Sequence, residues 1–125
     1  PPMQVVLAVQ HSDLGLALQL SLDTVPGLFV VGMATETASL RALLRTADPD
    51  LVILDWDLPG HCTASQLLVE ARQAKRCPTT IMLGRDEGVR QEALEAGADA
   101  FVLLGNSPVE LMAAIQESRG GHRGG

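Results

Sequence analysis

The chain has 125 residues, of which 46% are hydrophobic, and this is enough for one domain with its own apolar core. A formal charge of −6 with only nine Lys and Arg residues argues against direct binding to nucleic-acid phosphates or to an anionic membrane. No apolar run approaches the roughly 18 residues of a membrane span, and no secretory signal precedes the first strand, so a cytoplasmic location is expected.

Five short apolar runs alternate with five stretches of helical character, the pattern of an α/β protein. The runs are mostly continuous rather than alternating in polarity, as parallel strands covered on both faces are. The predicted strands are Gln4–Val9, Leu28–Gly32, Leu51–Asp55, Thr80–Leu83 and Ala100–Leu104. The predicted helices are Asp13–Asp23, Glu36–Thr46, Ala64–Lys75, Glu87–Ala96 and Pro108–Ser118. Residues 1–118 are expected to form the domain, and 119–125 a flexible tail or linker remnant.

Residues that favour helix ends flank the predicted helices. The candidate N-caps are Ser12, Thr35, Thr63 and Ser107 with Pro108, and Gly97 is the candidate C-cap of the fourth helix. The first helix is ambiguous, because Leu14–Leu22 alternates with period two like a half-buried strand. Its cap and its position between two strands favour a helix.

The segment Asp48–Gly60, DPDLVILDWDLPG, resembles a response-regulator receiver domain, the CheY-like fold of two-component signalling. In that family the third strand ends in an aspartate that accepts a phosphoryl group, and Asp55 is the matching position. The similarity extends over nearly the whole chain and is greatest to the NarL-like branch, whose receivers usually precede a DNA-binding domain. It implies a flavodoxin-like, doubly wound (βα)5 three-layer sandwich with a parallel five-stranded sheet of order 2-1-3-4-5.

The same resemblance shows which groups for phosphoryl transfer are missing. An acidic pair belongs after the first strand, where the chain has Gln10 and His11. A hydroxyl belongs at Gly84 and a lysine at Leu104, and the single lysine of the chain, Lys75, lies elsewhere. Because magnesium prefers negatively charged oxygen ligands, we expect no bound metal and no cofactor.

These departures predict a degenerate receiver that is not an enzyme, in which Asp55 is a vestigial phosphoacceptor. It would act as a phosphorylation-independent module that binds a protein partner or forms a homodimer, and would contact DNA only through an attached effector domain. One alternative is a receiver that still takes phosphate at Asp55 from a histidine kinase. Another is a pseudo-receiver that senses a small molecule in the emptied pocket.

A protein cation is predicted to replace the metal in part. In the family that the chain resembles, the residue after the fourth-strand hydroxyl is small and lies at the mouth of the phosphorylation pocket. Here that residue is Arg85, which has the reach to pair with Asp55 or Asp57. His11, when protonated, is the alternative counter-charge. His11, His61 and His122 are otherwise read as unrelated surface or rim histidines, and Cys62 and Cys77 as a reduced pair.

An interface is predicted on the first and fifth helices, which lie side by side in the receiver fold. If Leu14, Leu18 and Leu22 face the sheet, then Leu16 and Leu20 point away from it or along its flank. On the fifth helix, Leu111 and Ile115 would face inward. The outward or sideways residues there are Val109, Met112 and Ala113.

Overall fold

A computed structural model of the chain describes residues 2–73, 77–105 and 108–120. Within them, five parallel strands form one sheet of order β2-β1-β3-β4-β5. The strands are β1 Met3–Ala8, β2 Leu28–Ala34, β3 Leu51–Asp55, β4 Thr79–Gly84 and β5 Ala100–Leu103. The helices are α1 Ser12–Leu22, α2 Thr37–Thr46, α3 Ala64–Arg72, α4 Arg90–Ala96 and α5 Pro108–Gly120, with a 3-10 turn, Glu87–Val89, before α4. The predicted flavodoxin-like topology is confirmed.

The sheet separates two apolar cores, one on each face. Alternate residues of β1 go to opposite faces, so that Val5 and Leu7 pack toward α1 and α5 while Val6 and Ala8 pack toward α2, α3 and α4. The central strand β3 is buried along its whole length. This two-sided burial is the reason that the central strands read as continuous apolar runs.

The edge strand β2 differs from the prediction, which ended it at Gly32. It continues to Ala34, and its pairing with β1 contains a bulge: Val5 is opposite Val30, whereas Val6 is opposite Gly32. A Cβ on Gly32 would lie 2.7 Å from Cδ2 of Leu43 in α2, so glycine is needed here for close helix packing rather than for ending the strand.

Two predicted helix caps are wrong. The N-cap positions of α1 and α2 are held by His11 and Glu36, not by Ser12 and Thr35, and neither side chain makes a capping hydrogen bond. α1 begins at Ser12 itself and α2 begins two residues after Thr35, so neither hydroxyl is at the N-cap position. At the beginning of α2, the Thr37 backbone N–H donates to the Pro59 carbonyl at 2.9 Å instead.

The other two testable caps are confirmed. Thr63 accepts a hydrogen bond from the Gln66 backbone N–H, and the Gln66 side chain accepts one from the Thr63 N–H, which together form a capping box at α3. Gly97 ends α4 with φ of 118°, a left-handed conformation that glycine adopts without strain.

The remaining differences are at element ends. The predicted beginning of the fourth helix at Glu87 is a 3-10 turn, and α4 itself begins at Arg90. The fifth helix continues to Gly120 rather than ending at Ser118. The predicted cap Ser107, the end of the third helix at Lys75 and the tail 121–125 lie outside the described residues. In the described part of the chain, no helix is long and apolar enough to cross a membrane.

Candidate functional site

The candidate site lies at the carboxyl edge of the sheet, where β1, β3 and β4 end side by side. Parallel pairing in the order β1-β3-β4 brings Gln10, Asp55 and Arg85 to the same edge, although they are distant in sequence. Asp55 is opposite Leu83 in the register, one residue before the end of β4. The fold therefore assembles most of the predicted pocket by itself.

Asp55 is fully buried and holds two backbone hydrogen bonds. Its Oδ1 accepts from the Asp57 N–H at 2.9 Å, and its Oδ2 accepts from the Gln10 N–H at 3.2 Å. Gln10 thus takes part in the site through its backbone. His11, by contrast, is exposed at the beginning of α1.

Arg85 provides the positive charge of the site. Its Nη1 donates to Asp55 Oδ1 and to Asp57 Oδ2, each at 3.1 Å, and its Nη2 lies 3.5 Å from Asp55 Oδ2. The ion pair expected from the sequence is present, and it bridges both carboxylates. The hydrogen bond to Asp55 raises the pKa of the Arg85 guanidinium above its ordinary value, against a smaller opposing effect of burial.

The four donors leave Asp55 with little capacity for another ligand. Each of its oxygens accepts from one backbone N–H and one guanidinium N–H. Such charge-assisted bonds are stronger than neutral ones, and an arginine cannot lose its proton to vacate the site. A new partner for Asp55 would first have to displace the guanidinium.

The residues present do not fit the magnesium ion that the resemblance implies. A hard cation of this kind binds through carboxylates and waters, and here an amide and an imidazole stand where the acidic pair belongs. Among the residues with described placement, no group of three His, Cys, Asp or Glu side chains is arranged to hold a metal. The guanidinium of Arg85 lies against the remaining carboxylate instead.

Gly84 and Leu104 complete the predicted pocket positions. Gly84 is the last residue of β4, and its carbonyl accepts a 2.6 Å hydrogen bond from the Leu104 N–H. The Leu104 side chain packs against the core between the sheet, α1 and α5. The position expected to carry a lysine therefore belongs to the apolar core.

Sequence reasoning did not identify Phe101 as part of this region. The ring is buried, and a Cβ on Gly84 would lie 2.6 Å from its Cε1 and Cζ atoms. Glycine inside a strand often marks a close approach of this sort, which is the signal that was available. Arg90 also lies over this ring, with its Cζ 4.9 Å from the ring centroid.

Trp56 and Cys62 lie beside the site. Trp56 is half-buried against the core, and its backbone N–H donates to the Leu83 carbonyl at 2.8 Å. Cys62 is a free thiol whose Sγ lies 3.3 Å from Nη2 of Arg41. Cys77, the other free cysteine, is exposed on the segment before β4.

The predicted interface residues on α1 and α5 differ in how far they are exposed. Leu16 and Leu20 are 52% and 68% exposed, and on α5 Val109 is 69% exposed with Ala113 also on the surface. Met112 is half-buried.

A cleft of about 250 Å³ separates the two helices. Its walls are Leu14, Ala17, Leu18 and Ser21 from α1, with Leu111 and Met112 from α5. Met112 lines this cleft, whereas the exposed leucines Leu16 and Leu20 do not.

Comparison with known proteins relates the chain to one family along most of its length. The model of the response regulator receiver domain matches residues 5–116. The chain is 28% identical over 122 residues to the nitrate/nitrite response regulator protein NarL of Escherichia coli, covering 96% of this chain and 56% of NarL. It is 39% identical over 73 residues to the transcriptional activator protein IrlR of Burkholderia pseudomallei, covering 58% of this chain and 31% of IrlR. The chain thus spans about half the length of NarL and less of IrlR.

Solved structures agree on the fold. The isolated REC domain of RcsB from Salmonella enterica serovar Typhimurium superposes with a TM-score of 0.89 at 20% identity, over 99% of this chain and 93% of that one. A two-component response regulator of the LuxR family from Aurantimonas sp. superposes with a TM-score of 0.87 at 25% identity, over 98% and 89%.

Proposed function

The chain belongs to the response regulator receiver family, and from that premise we propose that it is a degenerate receiver, a phosphorylation-independent interaction module of two-component-type signalling. The observation that carries the proposal is the guanidinium of Arg85 on Asp55 and Asp57. This protein cation takes the place of the metal and the phosphoryl group as the partner of the carboxylate.

Phosphoryl transfer to Asp55 would require a free oxygen in line with the phosphorus, together with positive charge on the transferred group. Asp55 has no exposed surface, and both of its oxygens are engaged. The lysine and hydroxyl positions are Leu104 and Gly84. Loss of one preorganised donor commonly slows a reaction by about 100- to 1000-fold, so the combined loss supports an inactive acceptor.

The test is intact mass spectrometry of the protein incubated with magnesium and a small acyl phosphate. We expect no adduct. An increase of about 80 Da that disappears in Asp55→Asn would overturn the proposal. A phosphorylatable receiver, treated alongside the protein, confirms that the phosphodonor is active.

The second candidate function, a receiver phosphorylated at Asp55 by a histidine kinase, is favoured by one observation: Asp55 keeps the family's acceptor position at the end of β3. The mass measurement separates the two candidates directly. The third hypothesis, a small molecule in the emptied pocket, loses support because the Arg85 guanidinium lies against Asp55 there.

We further propose that the module works in the cytoplasm through a protein partner or a homodimer, and contacts DNA only through an effector domain. The NarL and IrlR relatives are named as a response regulator and a transcriptional activator, which supports a role in transcription regulation. Exposed Leu16 and Leu20 on α1 support a docking role for that helix, because large apolar side chains are costly in water.

The docking role is tested with the double variant Leu16→Glu, Leu20→Glu. If α1 mediates a homodimer, the parent sediments as a dimer and the double variant as a monomer, with unchanged circular dichroism. Leu94→Glu is the matched control, since Leu94 is an apolar residue on α4 with 41% exposure. If the parent protein is monomeric at all concentrations, the homodimer hypothesis is excluded and docking to a different protein is the hypothesis retained.

A further inference from the structure

The contact between Gly84 and Phe101 restricts what residue 84 can be. These residues lie on neighbouring strands, and Gly84 is opposite Leu103 in the register, two residues along from Phe101. Any side chain at position 84 would place its Cβ 2.6 Å from two ring atoms and 3.0 Å from Cγ2 of Val89. Ring atoms cannot yield as the end of a flexible side chain can, so a residue larger than glycine would displace the ring.

A second contact of the ring involves Arg90. The Arg90 guanidinium lies over Phe101, and it also forms an ion pair with Glu87 in the preceding turn. Phe101 therefore lies close to Gly84 of β4 and beneath the guanidinium of Arg90. Both ends of the segment between β4 and α4 are beside the ring.

The same segment carries Arg85. It leaves β4 at Gly84, pairs with Asp55 and Asp57 through Arg85, and reaches the Phe101 ring through Arg90. In addition, the Gly84 carbonyl accepts the Leu104 N–H at the end of β5. Residues 84–90 are thus anchored at one end to the carboxylates and at the other to a buried ring.

We propose that Gly84, Phe101 and Arg90 form a lock that holds the surface made by α4 and β5 in one arrangement, whatever the state of Asp55. The lock rests on the proposed function and deepens it, since a surface held in one arrangement cannot report a phosphoryl group on Asp55. It also implies that a hydroxyl cannot be restored at position 84 unless the ring moves.

The experiment is a double-mutant cycle of Gly84→Ser and Phe101→Leu, followed by urea unfolding. Gly84→Ser is expected to lower the unfolding midpoint in the parent, and to lower it by less than half as much in the Phe101→Leu background. The control is Gly88→Ser in the same segment, where a Cβ has its nearest neighbour at 3.4 Å and little change is expected. Equal losses in both backgrounds, or no loss in the parent, would overturn the lock.

A second measurement applies even if a Gly84 variant does not fold. Arg90→Gln removes the outer contact of the ring, so hydrogen exchange at the Phe101 and Leu103 amides should become at least several-fold faster. Arg45→Gln, on the exposed side of α2, should leave these amides unchanged. Unchanged exchange in Arg90→Gln contradicts the lock.

Independence from Asp55 is tested by amide NMR spectra of Asp55→Asn. The resonances of β5 and of Arg90–Ala96 should keep their positions, and a general shift of these resonances contradicts the proposal. This outcome is separate from the mass measurement. If Asp55 becomes phosphorylated while the double-mutant cycle still shows coupling between Gly84 and Phe101, the proposed function is refuted but the steric lock is not. If no phosphate adduct forms and the cycle shows no coupling, only the lock is refuted.

Discussion

Replacing Arg85 with methionine removes the cation from a fully buried carboxylate and should destabilise the domain. Breaking a buried ion pair costs about 3–5 kcal/mol, whereas an exposed pair contributes at most about 1 kcal/mol. Here Asp55 is fully buried but the Arg85 side chain is 39% exposed, so solvent screens part of the interaction. Asp55 also keeps its N–H donors from Gln10 and Asp57. We therefore expect Arg85→Met to lower the free energy of unfolding by about 2 kcal/mol, between these limits.

Urea denaturation followed by circular dichroism measures this loss. With a slope of about 1–3 kcal/mol per molar urea, the midpoint should fall by about 1 M. In an Asp55→Asn background the same substitution should cost much less, because the buried charge has gone. Arg45→Met, an exposed arginine of α2, controls for the general loss of a positive charge. If Arg85→Met costs the same with and without the Asp55 charge, the ion pair does not stabilise this site.

Three further predictions concern parts of the fold away from Asp55 and Asp57. Thr80→Val should raise the free energy of unfolding by about 1 kcal/mol in urea titration, because the buried Thr80 hydroxyl has no hydrogen-bond partner among the described residues and valine has the same shape. Thr63→Ala should lower it by about 1 kcal/mol by the same measurement, since it removes the hydroxyl that caps α3 and accepts the Gln66 N–H. The hydrogen bond from Arg41 lowers the pKa of Glu70, so this carboxylate stabilises the fold above its ordinary pKa of about 4.3. Glu70→Gln should therefore be slightly less stable than the parent at pH 7, and thermal melts of the two should converge as the pH falls through the lowered pKa.

Most of the fold could be predicted because its signals are local or belong to the family. Buried strands read as apolar runs, and the Thr63–Gln66 spacing indicates a capping box without reference to the rest of the chain. The N-cap predictions at Ser12 and Thr35 were wrong because a hydroxyl near the beginning of a helix does not determine at which residue the helix begins. The bulge in β2 depends on pairing with β1 and on the packing of Leu43, which no local pattern reports.

The candidate site was predictable to the extent that strand ends meet at one edge of a parallel sheet. That rule, together with the charges and with the family resemblance that puts residue 85 at the mouth of the pocket, anticipated the contact of Arg85 with Asp55 and Asp57. It could not show that Gln10 contributes its backbone N–H, because side-chain identity carries no information about that bond. Nor could it place Phe101 against Gly84, since this contact depends on the register of β4 and β5.

The position of Trp56 gives the site an intrinsic optical reporter. It is the single tryptophan of a chain without tyrosine, so almost all of the near-ultraviolet emission comes from one place. That place is between Asp55 and Asp57, with the backbone tied to Leu83 of the neighbouring strand. Displacement of the guanidinium, arrival of an ion or opening of the β4–α4 segment would each alter the polarity or quenching around the indole. Fluorescence can therefore follow these events in the unlabelled protein, at concentrations too low for NMR.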